Sequence, residues 1–157
     1  KLMSTHLNKK NRPKIVNITD KKSTFRIATA RGKITFSSKT FRKLEKMETK
    51  KGEINNIAII AGIMGAKKTS DLIPLCHNIN IENIDINIKT NKTEKSLTVE
   101  SIVKTTNKTG VEMEALTSVA ISCLTIYDMC KGFDKSIQIE NIKLVSKKGG
   151  KSDYLNK

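Results

Sequence analysis

Three carboxylates, a histidine and several lysines stand where they could do chemistry. Between Lys108 and Lys131 the chain reads KTGVEMEALTSVAISCLTIYDMCK. Its apolar residues recur at helical spacing without a proline, which predicts one long helix. Glu112 and Glu114 fall in its first turn, where the helix dipole favours carboxylates. Asp128 falls in the last turn, where the dipole disfavours it, and Lys131 follows three residues later on the same face. As a surface ion pair, Asp128 and Lys131 would contribute under about 1 kcal/mol. Their apolar setting, LTIYDMC, also fits a half-buried acid beside a base, able to pass a proton.

Three other places carry usable groups. Lys67 and Lys68 end an apolar stretch, where lysine either is solvated or meets a phosphate. Leu75-Cys76-His77 follows Pro74 in an apolar loop. A histidine there is either structural or a held imidazole that donates to a phosphate or shuttles a proton. Cys76 reads as a small buried hydrophobe. Lys147-Lys148-Gly149-Gly150-Lys151-Ser152 is a flexible basic loop that could fold over an anion. It lacks the GxxxxGK[ST] spacing of a P-loop.

Geometry limits how these groups combine. Glu114 and Asp128 are about 21 Å apart along a helix, at ~1.5 Å per residue. The spacing puts them on one face but at opposite ends. One compact pocket in one chain cannot use both, so either the pockets are separate or another subunit completes the site.

The elements that position these residues follow from periodicity and turn residues. Residues 1–14 read as a disordered basic arm. Ile15–Ile18 is a short extended segment. Thr24–Phe36 alternates as a strand, with Arg31-Gly32 as a bulge or tight turn. Ser37-Ser38 caps a helix over KTFRKLEKMETK, broken at Lys51-Gly52. Glu53–Lys67 is apolar almost all round and predicts a buried helix, with Gly62 and Gly65 permitting close packing. Thr69–Asn80 is a loop. Ile81–Lys89 and Leu97–Thr105 form a hairpin through Asn91-Lys92-Thr93. After the long helix, closed by Gly132 as a C-cap, Ser136–Val145 is the last strand. Residues 15–147 thus make a single domain and 148–157 a mobile tail rich in glycine and lysine. The order is the βαββαβ of an α+β, ferredoxin-like sandwich, an antiparallel sheet with helices on one face and an N-terminal extension.

Composition narrows the function classes. The 157 residues, 37% of them hydrophobic, suffice for one core. No stretch approaches the ~18 consecutive apolar residues of a membrane span, and no secretory signal is expected. Three cysteines without CxxC spacing read as reduced thiols of a cytosolic protein, and with only two histidines besides no metal cage is expected. The net charge of +15 invites a nucleic-acid reading. Yet 26 of the 30 basic residues are lysine and aromatics are only 4%, too few for a base-stacking platform. A smaller anionic ligand fits better.

The stretches AGIMGAKKTSDLIPLCH, KTGVEMEALTSVAISCLTIYDMCK and KKGGKSD resemble the motifs of the MoaC family, the cyclic pyranopterin monophosphate synthases of molybdenum cofactor biosynthesis. The likeness runs from about Ile15 to Ser152. It implies a lyase that rearranges a cyclised dihydro-GTP to cyclic pyranopterin monophosphate and releases diphosphate. It implies no metal and no organic cofactor, and a cytoplasmic hexamer, a trimer of dimers with sites at subunit interfaces. No nucleic-acid or membrane partner is implied. By the resemblance, Asp128 and Lys131 are the catalytic pair. Leu75, Cys76, His77, Met113 and Glu114 bind substrate, and Arg26, Lys51, Lys67 and Glu112 lie in or near the pocket. Lys147 and Lys151 belong to its basic loop.

The sequence departs from the family's pattern at several positions. Asn17 replaces an aspartate counted among the functional positions. Lys50 replaces a histidine, Asn78 a proline, Lys148 a serine and Asp153 a glycine. The alternative function is a non-catalytic, ferredoxin-like module that binds nucleotides or RNA through its lysines. That reading leaves the acid–base pair unexplained.

Overall fold

The computed structural model describes residues 6–46 and 48–156, with the backbone alone for 48–52. In chain order the elements are β1 (Thr24–Thr35), α1 (Ser38–Lys46), α2 (Glu48–Lys67), α3 (Thr69–Leu72), β2 (Asn83–Asn91), β3 (Ser96–Asn107), α4 (Glu112–Cys130), β4 (Gln138–Lys148) and β5 (Tyr154–Leu155). Five strands form one sheet in the order β2-β3-β1-β4-β5, and every pairing is antiparallel. Without the two-residue β5, this is the strand order of a ferredoxin-like α+β fold.

Period-two patterning explains the sheet. β1 turns Ala28, Ala30, Gly32 and Ile34 to the core and leaves Arg31 exposed on the other face. β3 does the same with Leu97, Val99, Ser101 and Val103. The two pair along their full length, from Thr24 opposite Asn107 to Thr35 opposite Ser96. The register of β1 against β4 shifts between Arg31 and Lys33, the irregularity expected at Arg31-Gly32. The β2–β3 turn falls at residues 92–95, where Lys95 takes a φ of 51° and the Asn91 side chain accepts from Glu94 N–H at 3.0 Å.

Two helices cover one face. α4 packs on β1, β3 and β4, and α2 lies along α4 and reaches β2. Val111, Ala115, Val119, Cys123 and Ile126 of the α4 region are fully buried. α4 has the length and composition of a membrane span, with a mean hydropathy of 1.2. Its place between α2 and the sheet accounts for that apolarity. Ser37 precedes α1, and its hydroxyl accepts from Thr40 N–H at 3.3 Å. Asp134, just before β4, accepts from Thr40 Oγ1 at 2.9 Å and Ser136 N at 2.8 Å. Bonds from Ser136, Ser37 and Thr40 hold its carboxyl well below the usual range.

The structure corrects several expectations. Lys51-Gly52 does not end a helix, because α2 starts at Glu48 and runs through both. α2 is not buried all round: Ile57, Ile60 and Met64 are 42%, 59% and 61% exposed. Thr69–Leu72 forms a short helix within the expected loop. Gly132 does not cap α4 in the left-handed region; Lys131 caps it with helical φ and ψ. Ile15–Ile18 joins no ladder. Residues 6–14 form a turn closed by a bridge between Leu7 and Pro13. After Lys148 the chain turns at Gly149 and returns as β5 along Ser146 and Lys147.

Close packing of α2 on α4 rests on glycine. A Cβ at Gly62 would stand 2.2 Å from Ser122 Oγ and 3.0 Å from Ser118 O. Alanine in a helix normally gains about 1 kcal/mol over glycine, but overpacking costs about 1–3 kcal/mol. Gly62→Ala should therefore lower the urea midpoint, whereas Gly132→Ala, with nothing within 4 Å of its Cβ, should stay within about 0.5 kcal/mol of the parent. A Gly62→Ala protein more stable than the parent would contradict this packing.

Candidate active site

The N-terminal end of α4 is built for an anion. Val111 occupies the N-cap position and its side chain makes no capping bond; Glu114, in the first turn, meets its own backbone N–H, and the other N–H groups of that turn lie beside Gly110. A cleft of about 410 Å³ opens here. Arg26, Lys147 and Lys151 line it, together with Lys21, Lys22, Lys108 and Lys148. Seven cations thus face one acid, Glu112.

Local structure fixes several of these groups. Arg26 enters from β1, and its Nε donates to the Asn107 carbonyl at 3.4 Å. Lys147, on β4, pairs with Glu112 at 3.0 Å. The basic loop is held over Arg26 by its glycines. Gly149 has a φ of 89°, and a Cβ there would meet the Phe25 carbonyl oxygen at 1.8 Å. Thr24 Oγ1 donates to the Gly149 carbonyl at 2.8 Å, and Gly149 N–H donates to Asp153 at 3.2 Å. Lys108, at the approach to α4, donates from Nζ to the Thr19 carbonyl at 2.8 Å.

A second cleft, of about 300 Å³, adjoins the first and shares Thr109, Gly110 and Glu112 with it. Leu75, Cys76, His77, Met113 and Glu114 line it, with His6. His77 is held in place: its Nε2 lies 2.7 Å from the Val16 carbonyl. Glu114 is only 4% exposed. Burial, and secondarily the charge of Glu112, push its carboxyl up to about 7, against the pull of its own backbone N–H. It can therefore give or take a proton near neutrality. Burial, with the charge of Glu114, also pushes the Cys76 thiol up, which disfavours the nucleophilic thiolate.

Not every expected residue joins these clefts. Asp128 and Lys131 lie 2.6 Å apart at the far end of α4, with side chains 65% and 58% exposed. The half-buried setting expected for Asp128 is absent: Ile126 and Cys130 of the same turns are buried, but among the described residues nothing covers the face that carries Asp128. Its carboxylate, hydrogen-bonded to Lys131, holds the ammonium above its ordinary pKa. The pairing favours the charged form of Lys131. Lys67 lines a separate cleft beside Ile63 and Ile79–Ile84. Lys68 is paired with Asp71 at 3.3 Å. The Lys51 side chain lies outside the described residues. Lys21, Lys22 and Lys108 are the members that sequence reasoning missed. Among the described residues, no three of His, Cys, Asp and Glu gather as a metal site would need.

The model of the MoaC family matches residues 15–150. The chain is 51% identical to a cyclic pyranopterin monophosphate synthase of Helicobacter pylori over 154 residues, 98% of each chain. It is 52% identical to one of Helicobacter hepaticus over 148 residues, 94% of this chain and 93% of the other. The synthase of Heliobacterium modesticaldum is 45% identical over 150 residues, 96% and 94% of the two chains.

The raised pKa of Glu114 has a measurable cost. The fold favours its protonated form, so that contribution is complete below the unfolded value of 4.5 and is lost as pH rises through about 7. Glu114→Gln should remove this dependence. Relative to the parent, the variant should gain stability between pH 5 and 8, by on the order of 3 kcal/mol at most. Denaturant titrations across that range check it. Parallel curves for both proteins would show that Glu114 ionises freely in the fold.

Proposed function

The chain belongs to the MoaC family, and from that premise we propose that it is a cyclic pyranopterin monophosphate synthase of molybdenum cofactor biosynthesis. It converts a cyclised dihydro-GTP to cyclic pyranopterin monophosphate and releases diphosphate. One juxtaposition carries this reading in the structure: a cleft lined by seven cations opens beside a buried carboxyl whose pKa is raised to about 7. The alternative, a passive nucleotide- or RNA-binding module, gives that carboxyl no work to do.

The chemistry assigns roles to both clefts. Arg26, Lys147 and Lys151, with Lys21, Lys22 and Lys108, receive the triphosphate at the N-terminal end of α4. As a sugar hydroxyl attacks the α-phosphorus, it loses a proton and the bond to the β-phosphate oxygen breaks. Cations fixed around the leaving diphosphate stabilise the charge that collects there. Glu112 shares Lys147 with the incoming phosphates. The second cleft takes the purine-derived part against Leu75, Cys76 and Met113, with His77 and Glu114 exchanging protons during the rearrangement.

Asp128 and Lys131 act at the same reaction from a neighbouring subunit. Their ion pair is too far along α4 to reach the clefts of their own chain. Surface apolarity supports an assembly. α2 exposes Ile57, Ile60 and Met64, and α4 exposes Leu124 at 54%, residues that association would bury. We take the assembly to be a hexamer, a trimer of dimers, with Lys51 and Lys67 of one chain serving a site shared with another. The three cysteines are unpaired, which supports a reducing, cytoplasmic setting.

Diphosphate release from cyclised dihydro-GTP tests the reading. The parent protein should release it, and Lys131→Ala should not, while unfolding at the same denaturant concentration, because exposed helix ends tolerate alanine. KM should rise steeply between about 0.05 and 0.5 M salt as the cations are screened. A parent protein that binds the substrate and releases nothing would favour the passive module. Normal turnover by Lys131→Ala would remove that residue from the mechanism.

A further inference from the structure

The segment before β1 does more than connect. Its backbone carbonyls reach two groups of the clefts: Val16 O meets His77 Nε2 at 2.7 Å, and Thr19 O accepts from Lys108 Nζ at 2.8 Å. Between them stands Asn17, whose Oδ1 accepts from Thr19 N–H at 2.9 Å and from Thr19 Oγ1 at 2.7 Å. These two bonds fold residues 17–19 into a local turn, which fixes where the two carbonyls on either side of Asn17 point.

A carbonyl can only accept, so His77 Nε2 must carry hydrogen. The bond therefore selects the Nε2–H form of the ring and leaves Nδ1 as the nitrogen that can meet a ligand in the cleft His77 lines. We propose that Asn17 is a positioning residue: through its turn with Thr19 it holds the Val16 carbonyl on His77 and the Thr19 carbonyl on Lys108, setting the imidazole tautomer and the lysine's reach. Only the acceptor oxygen of Asn17 takes part. A carboxylate at this position would accept the same two bonds, so the function of the position survives the amide. The effect on turnover rests on the activity proposed above; the effect on the His77 ring does not.

The test uses the full chain labelled with 15N at histidine and reads the ring nitrogens of His77 by NMR, beside diphosphate release from cyclised dihydro-GTP. With the ring in its neutral form, the parent should show Nε2 protonated and Nδ1 not. Asn17→Ala should mix the two tautomers and lower kcat/KM by about 10- to 100-fold, the scale of a small misplacement at a reacting centre. Asn17→Asp should restore both. Thr19→Val, which removes only the hydroxyl donor, should give a smaller change of the same kind and guards against a failure of Asn17→Ala to fold. Tautomer shifts without any turnover in the parent would support the positioning role and overturn the activity. An unshifted His77 ring in Asn17→Ala and Thr19→Val would overturn the proposal, whatever happens to the rate.

Discussion

Everything in this chain hangs on how near α4 comes to its neighbours. On one side a Cβ at Gly32 of β1 would lie 2.6 Å from Val119 Cγ1. On the other, Cβ atoms at Gly62 and Gly65 of α2 would lie 2.2 Å from Ser122 Oγ and 2.8 Å from Ile121 Cγ1. Ser122 also donates to the Ala58 carbonyl at 2.9 Å, joining the two helices across a buried contact. With backbone this close on both flanks, α4 cannot slide or roll without steric clash. Its two ends are thereby fixed in the fold, with the two clefts at one and the Asp128–Lys131 pair at the other.

The ends differ in what the chain does with them. At the N-terminus, β1, the basic loop, residues 75–77 and the segment before β1 converge. The helix dipole, the lysines and Arg26 make the place positive. Burial of Glu114 beside Glu112 then keeps a proton available within it. At the C-terminus, Asp128 and Lys131 stand as an exposed pair beside exposed Leu124 and Met129. An exposed ion pair in water holds little energy and moves protons no better than solvent. Brought against the positive end of another copy, it would be desolvated and would face substrate. On the proposed assembly, one helix of 19 residues would contribute opposite ends to two different sites.

Much of the fold was legible in the sequence, for identifiable reasons. β1, β2 and β3 alternate cleanly, and Asn91 and Arg31-Gly32 mark the hairpin and the bulge. α4 follows from its uninterrupted helical period. What failed was exposure and capping. Isoleucines at 57 and 60 look the same in sequence whether they face a core or a surface. Gly52 reads as a breaker and Gly132 as a C-cap, yet α2 runs through the first and the second does not take the left-handed conformation. In the site, Glu114, His77 and Lys147 stood out by motif and position. Lys21, Lys22 and Lys108 did not, because lysine is so common in this chain that position alone could not single them out; the pair next to Asp20 and the lysine preceding Thr109-Gly110 were the available signals. The Val16 carbonyl on His77 had no side-chain signal at all.

Subunit mixing tests the central claim most directly. Lys131→Ala removes the group at one end of α4 and Glu114→Gln, of nearly the same shape, removes the proton at the other. Each variant alone should be inactive. If the site is built from opposite ends of α4 in different chains, mixed assemblies contain some pockets with both residues intact. Diphosphate release should then return, to about a quarter of the parent rate per pocket for random equal mixing at a two-chain site. If the two proteins demonstrably exchange subunits and the mixture stays as inactive as its parts, each chain carries its own complete site and the account is wrong.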